Sequence, residues 1–196
     1  MQITYTLKEN VGSPELFTGR AVLMENFIRW IGNIRKEIGK SRALLSRRKK
    51  GKTVIMQRLY NIIWSENSSI VPFFYEIIEM NIYIRDFAEN FLRSFLSQYY
   101  AFITRERLYT SQHLSLNELK DIFQDDKTIH AILKTFFELK VSGNDNALWD
   151  EARQAPHRLA RMKNIQVLQF IDEFQNINKY VVDKDKEPIN TLAGSY

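Results

Sequence analysis

The sequence predicts an α/β fold in which helices flank a parallel sheet, and three observations support this prediction. Two apolar runs, 70–77 and 165–172, have the length and the content of β-branched and aromatic residues that are typical of buried strands. Helical patterns lie before and between these runs. A basic loop with a glycine and an acidic pair stand where strand ends are expected, and ligand sites of this fold class lie at strand ends.

The individual elements follow from the spacing of apolar residues. Helices are predicted where apolar residues recur every three or four positions, which occurs at 22–34, from the basic loop to residue 66, at 82–104, at 116–139 with a break near 124–126, and at 147–162. The short run Ala43-Leu44-Leu45 is predicted to be the inner end of a buried strand. Pro72 argues against a central position for the first long strand. The aromatic stripe within 82–104 is expected to pack in the core.

Length and composition are those of one globular domain. The 196 residues are 44% hydrophobic and 26% charged, which is ordinary for a folded protein. There is no cysteine, so disulfides and thiolate metal sites are excluded. No segment resembles a secretion signal, and no apolar run approaches the roughly 18 residues of a membrane span. We therefore expect a cytoplasmic protein without membrane association.

A basic loop precedes the second helix and consists of Ser46-Arg47-Arg48-Lys49-Lys50-Gly51-Lys52-Thr53. Where a strand turns into a helix, the backbone N–H groups of such a loop can surround a phosphate chain, so all eight residues are predicted to bind nucleotide. Lys52 would place its ammonium on the outer phosphates, and Thr53 would offer its hydroxyl to Mg²⁺. Ser46 stands where this type of loop usually has a glycine.

An acidic pair, Asp172-Glu173, ends the second long apolar run. Asp172 would bind Mg²⁺ directly or through water, and Glu173 would orient the water that attacks the γ-phosphate. The basic loop and the acidic pair have the order and the local context of Walker A and Walker B motifs. They predict a P-loop NTPase-like fold that binds ATP and Mg²⁺, with Lys52 and Glu173 as catalytic residues. Gln175 and Asn176, just beyond the pair, are predicted to cap a following helix, or alternatively to contact water near the γ-phosphate.

Three segments together resemble the prokaryotic ATPases of the AAA+/STAND assemblage that are often called archaeal-type ATPases: Phe17-Thr18-Gly19-Arg20, then 44–53, then 170–175. The resemblance implies that Phe17, Gly19 and Arg20 lie near the adenine and ribose. It divides the chain into an amino-terminal extension, 1–13, and an ATPase domain, 14–196. Family members continue past Walker B with a sensor strand and a helical lid, so we expect a domain that is incomplete at its carboxyl end and hydrolyses ATP weakly or not at all.

The basic residues leave other functions open. Between residues 29 and 58 there are eleven lysines and arginines, and Glu37 is the only acid. Such a stretch can bind nucleic acid, or it can be a solvated surface without a partner. A third hypothesis is a structural remnant that binds nothing. A sheet that ended after the Walker B strand would expose an apolar edge, so self-association into a homo-oligomer is also expected.

Overall fold

The computed structural model describes residues 3–10, 17–45, 50–190 and 192–195. This part of the chain is mixed α/β, with seven α-helices and a small parallel sheet. The helices are α1 (Ala21–Arg35), α2 (Lys52–Glu66), α3 (Ile84–Thr104), α4 (Leu116–Ile122), α5 (Lys127–Ser142), α6 (Asp145–Lys163) and α7 (Ile177–Tyr180). The strands are β1 (Ile70–Glu76), β2 (Ile82–Tyr83), β3 (Gln166–Asp172) and β4 (Val181–Val182).

The main sheet pairs β1 with β3 in parallel, from Ile70 opposite Gln166 to Glu76 opposite Asp172. The two-residue strands β2 and β4 form a second parallel pair. The two long predicted strands and their parallel arrangement are therefore confirmed, although the main sheet has two strands in the described part of the chain. The register brings the carboxyl ends of β1 and β3 side by side.

The aromatic stripe of α3 packs on one face of this sheet. The ring centre of Phe73 in β1 lies 5.2 Å from that of Phe91 and 5.3 Å from that of Phe95. Trp149 of α6 joins the cluster at 5.4 Å from Phe91. All four rings are buried, which confirms that the stripe belongs to the core. Helix α2 contacts both strands and packs on the opposite face of the sheet. The side chain of Asp172 lies on this opposite face, because successive side chains of a strand alternate between the two faces.

Pro72 fits into β1 because its main chain faces away from β3. Two residues later, the Phe74 N–H donates to Gln98 Oε1 at 2.9 Å, and the Phe74 carbonyl accepts from Gln98 Nε2 at 2.8 Å. The main-chain groups of alternate residues in a strand point to the same side, so Pro72 also faces this side and removes no bond from the β1–β3 ladder. The amide of Gln98 thus takes the place of a neighbouring strand.

The first residues of the chain are bound to α2. Gln57, Asn61 and Ser65 are spaced four residues apart on one side of that helix, and their side chains accept from main-chain N–H groups of residues 4–10 at 2.7 to 3.0 Å. Lower residue numbers in the segment meet higher numbers in α2, so the segment runs antiparallel to the helix. A polar stripe on α2 therefore satisfies the main chain of a segment that has no secondary structure of its own.

The structure corrects the predicted strand at Ala43-Leu44-Leu45. Residues 38–45 form no helix or strand, and Leu45 is 88% exposed. Only Leu44 of the three is partly buried, so a strand at this position would remove little apolar surface from water. The predicted break near 124–126 is confirmed, since it separates α4 from α5.

Gln98→Leu is expected to destabilise the fold, because it leaves the buried N–H and C=O of Phe74 without partners. Two unsatisfied main-chain groups should lower the free energy of unfolding by about 2–4 kcal/mol. Urea unfolding followed by circular dichroism measures the change, with Gln124→Leu at an exposed position as the control. Equal stability of the two variants would show that β1 does not depend on this side chain.

Candidate functional site

The basic loop enters α2 at Gly51. This residue has a φ of +75°, a left-handed conformation that glycine adopts without strain, and α2 begins at Lys52. Gly51, the N-cap residue, makes no side-chain cap hydrogen bond, and an anion bound at the start of a helix can accept from the N–H groups of its first turn. The predicted turn from loop to helix is therefore present at Gly51, Lys52 and Thr53. Four predicted residues lie outside the described part of the chain, namely Ser46, Arg47, Arg48 and Lys49.

The two predicted motifs meet through one hydrogen bond. Thr53 Oγ1 donates to Asp172 Oδ2 at 2.5 Å, although the residues are 119 positions apart in the sequence. Asp172 is only 2% exposed, and its Oδ1 accepts from the Glu173 N–H at 2.9 Å. The structure thus brings together the two residues that the sequence predicts as Mg²⁺ ligands, and both carboxylate oxygens of Asp172 are held by donors.

Glu173 turns the chain out of β3. Its φ of +50° is left-handed, and such a conformation costs a residue other than glycine roughly 1 kcal/mol or more and recurs at functional sites. The side-chain amide of Gln175 donates to the Glu173 carboxylate. Asn176 occupies the N-cap position of α7, but its side chain makes no cap hydrogen bond; its Nδ2 instead donates to the Ile77 carbonyl at 2.8 Å. These contacts orient the Glu173 side chain and tie the segment after β3 to the segment after β1.

A third carboxylate, Glu76, lies at the same edge and is missed by the sequence analysis. It is the register partner of Asp172, and paired positions place their side chains on the same face of a sheet. Burial raises the pKa of Glu76, and the negative charges of Asp172 and Glu173 raise that pKa further. The signal that could have identified it is its position, since Glu76 ends the first long strand as Asp172 ends the second.

The residues before α1 contact two different parts of the structure. Arg20 Nη2 donates to the Lys50 carbonyl beside Gly51, so Arg20 contacts the basic loop. Phe17 instead packs against the Arg58 guanidinium, which lies 4.5 Å from its ring centre. Arg58 is six residues beyond Lys52, or about 9 Å along the helix. Of the three residues that the resemblance places near adenine, Arg20 therefore touches the loop and Phe17 lies farther along α2, while Gly19 adopts a left-handed φ of +76° between them.

Metal binding at this edge would involve few protein ligands. Within the described residues, no group of three or more His, Cys, Asp or Glu side chains could hold a metal ion. A Mg²⁺ ion bound with a nucleotide takes most of its ligands from phosphates and water and one or two from the protein. Thr53 and Asp172 could supply those two.

Comparisons with known proteins returned no match, whether to a family model, a curated protein or a solved structure. Among the helices of the described residues, none is long and apolar enough to cross a membrane. The interpretation of the site therefore depends on its own geometry.

Glu76→Gln is expected to make the stability of the fold less dependent on pH. The folded state holds the Glu76 proton more tightly than the unfolded state does, so this residue lowers the free energy of unfolding as pH rises from the ordinary glutamate pKa of about 4.3 through the raised folded pKa. The glutamine variant lacks this loss, and its stability relative to the wild type should increase between about pH 4 and pH 7.

Urea midpoints at the two pH values measure this effect. Glu187→Gln, which changes an exposed acid on another loop, is the control. A difference between Glu76→Gln and the wild type that stays constant with pH would contradict the raised pKa.

Proposed function

We propose that this chain binds a Mg²⁺–nucleoside triphosphate, with ATP as the expected nucleotide, at the carboxyl edge of the β1–β3 sheet. The observation that carries the proposal is the 2.5 Å hydrogen bond between Thr53 and the buried Asp172. Two oxygens that share an octahedral Mg²⁺ at about 2.1 Å lie roughly 3 Å apart. Thr53 and Asp172 are thus already close to the separation that a shared ion requires.

The residues at this edge would have distinct roles. The N–H groups and the positive end of α2 would bind the phosphates, and Lys52 would neutralise the outer phosphates. Thr53 and Asp172 would hold Mg²⁺. The ion would also reduce the repulsion among Glu76, Asp172 and Glu173, so the acidic edge and the anionic nucleotide would each favour binding of the metal.

We also propose Mg²⁺-dependent hydrolysis of the bound nucleotide, with Glu173 orienting the attacking water. Phosphoryl transfer depends mainly on positioning and on stabilisation of charge. Two observations favour Glu173 for this role, namely its left-handed backbone and the hydrogen bond from Gln175 that orients its carboxylate. Glu76 faces the same edge and could orient the water from the β1 side.

The same observations support a P-loop NTPase-like fold and the resemblance to AAA+/STAND ATPases. Parallel strands, a loop that opens a helix and an acid at a strand end are the parts that such a site needs around its phosphates. The contact of Arg20 with the Lys50 carbonyl supports the position beside the nucleotide that the resemblance implies.

Lys52→Ala is expected to weaken Mg-ATP binding by about a hundredfold, since it removes a charged contact worth roughly 3 kcal/mol. Titration with a fluorescent ATP analogue measures the dissociation constant. Lys179→Ala removes an exposed lysine from α7 and is the control. If the two variants bind ATP equally well, the phosphate-binding assignment is wrong.

The two acids at the end of β3 are expected to separate binding from chemistry. Asp172→Asn should weaken nucleotide binding by about tenfold in Mg²⁺ and little in EDTA, because it removes the negative charge of one metal ligand. Glu173→Gln should bind Mg-ATP within about twofold of the wild type and hydrolyse it at least about a hundredfold more slowly. Phosphate release measures hydrolysis. If the wild type releases phosphate, a Glu173→Gln protein with the same rate would refute the role of Glu173; a wild type that binds Mg-ATP and releases none would refute hydrolysis by this chain.

A further inference from the structure

Of the eleven basic residues between 29 and 58, Arg35 and Arg58 form ion pairs, three lie outside the described residues, and the other six form two groups. Lys50 and Lys52 lie at the start of α2, at the proposed nucleotide site. Four others lie on the second half of α1 and on the segment that follows it, and we name them the amino-edge cluster: Arg29, Lys36, Lys40 and Arg42. All four are exposed.

The amino-edge cluster lies at the opposite end of the sheet from the nucleotide site. Gln166, the first residue of β3, donates from its Nε2 to the Ile34 carbonyl near the end of α1 at 2.7 Å. Arg35, the last residue of α1, forms an ion pair with Glu66, the last residue of α2. Strands of seven residues separate the two edges by about 20 Å. The cluster is therefore too far away to contact the phosphates of a nucleotide bound at Lys52.

The cluster gathers four exposed cations in a stretch of the chain that has few acids. On the helices from α3 to α6, six basic side chains form ion pairs with nearby acids, whereas Lys120, Lys127 and Arg161 form none among the described residues; the pairs are Arg85–Asp145, Lys134–Glu138, Lys140–Glu89, Arg153–Asp150, Arg158–Glu151 and Lys163–Asp126. Among the described residues, none of the four members of the amino-edge cluster forms an ion pair. Glu37 is the one acid in the segment from Arg29 to Arg42.

Trp30 connects two members of the cluster, Lys40 and Arg42, to α1. Its Nε1 donates to the Lys40 carbonyl at 2.8 Å, which fixes the segment after α1 against the helix. The Arg42 guanidinium lies 5.5 Å from the centre of the Trp30 ring, a distance at which cation and ring attract. Trp30 is itself buried. Lys40 and Arg42 are therefore positioned by contacts with a buried residue of α1.

We propose that the amino-edge cluster binds the phosphate backbone of a nucleic acid, independently of the nucleotide site. Several unpaired cations on one surface match a polymer with regularly spaced phosphates, and such contacts need no particular base sequence. An anionic membrane fits less well, because the apolar face of α1 is used inside the protein. Its residues Met24, Trp30 and Ile31 are buried, whereas a membrane-binding helix inserts its apolar face into the lipid. Ile28 and Ile38 beside the cluster are exposed, so binding to an anionic membrane is the alternative that the vesicle measurement below tests.

The test compares the intact chain with a charge-reversed variant, Lys36→Glu/Lys40→Glu, by fluorescence anisotropy with a labelled 20-base-pair DNA duplex. Neither side chain makes a contact that folding depends on, since both are exposed. The wild type is expected to bind, and about four phosphate contacts should make binding roughly a hundredfold weaker at 200 mM than at 50 mM salt. The variant should bind at least about tenfold more weakly at 50 mM salt.

Two controls make the result specific. Lys179→Glu/Lys184→Glu carries the same change in charge at exposed positions outside the cluster and should bind DNA like the wild type. The Lys52→Ala variant should lose its affinity for ATP and keep its affinity for the DNA duplex. Failure of the nucleotide assignment and failure of this proposal are therefore distinguishable. The proposal is overturned if the wild type does not bind the duplex at 50 mM salt, if both double variants lose affinity equally, or if vesicles of phosphatidylserine bind more tightly than DNA.

Discussion

The hydrogen bond between Thr53 and Asp172 is the contact on which the arrangement of the candidate site depends. A carboxylate that is 2% exposed loses most of its hydration, and that loss is unfavourable unless donors replace water. The Thr53 hydroxyl and the Glu173 N–H are those donors. Because one donor comes from the first turn of α2 and the acceptor is the last residue of β3, the bond fixes where α2 begins relative to the sheet.

The position of α2 then determines how the beginning of the chain is bound. Beyond its first turn, the helix presents the polar stripe that holds the main chain of residues 4–10. Glu9 is 3% exposed and forms two short contacts with the Arg58 guanidinium at 2.7 Å, while Phe17 and Tyr5 lie against the same guanidinium. An ion pair so deeply buried is costly to break from one side. The first residues of the chain are therefore attached to the helix that begins at the proposed phosphate site.

The sequence predicts those parts of the fold that depend on local periodicity. The strands at 70–77 and 165–172 and the aromatic helix between them have long, consistent patterns, and each pattern agrees with the burial that the structure shows. The segment at 43–45 is too short for its pattern to outweigh its charged neighbours. The segment 3–10 has no pattern because it is held by main-chain hydrogen bonds to side chains of α2, and these leave no trace in its composition.

Prediction of the candidate site is limited in the same way, because local patterns do not show which distant residues meet. Lys52, Thr53 and Asp172 belong to motifs whose spacing is visible in the sequence, and the structure places Thr53 and Asp172 in contact. Glu76 ends one strand as Asp172 ends another, but the sequence does not show that these two strands are neighbours, which the register establishes. The separation of the basic residues into two groups also requires the structure, because they are neighbours in sequence and lie at opposite ends of a sheet.

The two ends of the sheet differ in charge. Glu76, Asp172 and Glu173 lie at the carboxyl edge, together with the start of α2, and the exposed cations of the amino-edge cluster lie at the other end. Helix α2 spans this distance, since its fifteen residues extend about 22 Å from Lys52 to Glu66. Glu66 pairs with Arg35, next to Lys36 of the amino-edge cluster. The helix that begins at the proposed phosphate site therefore ends beside the amino-edge cluster.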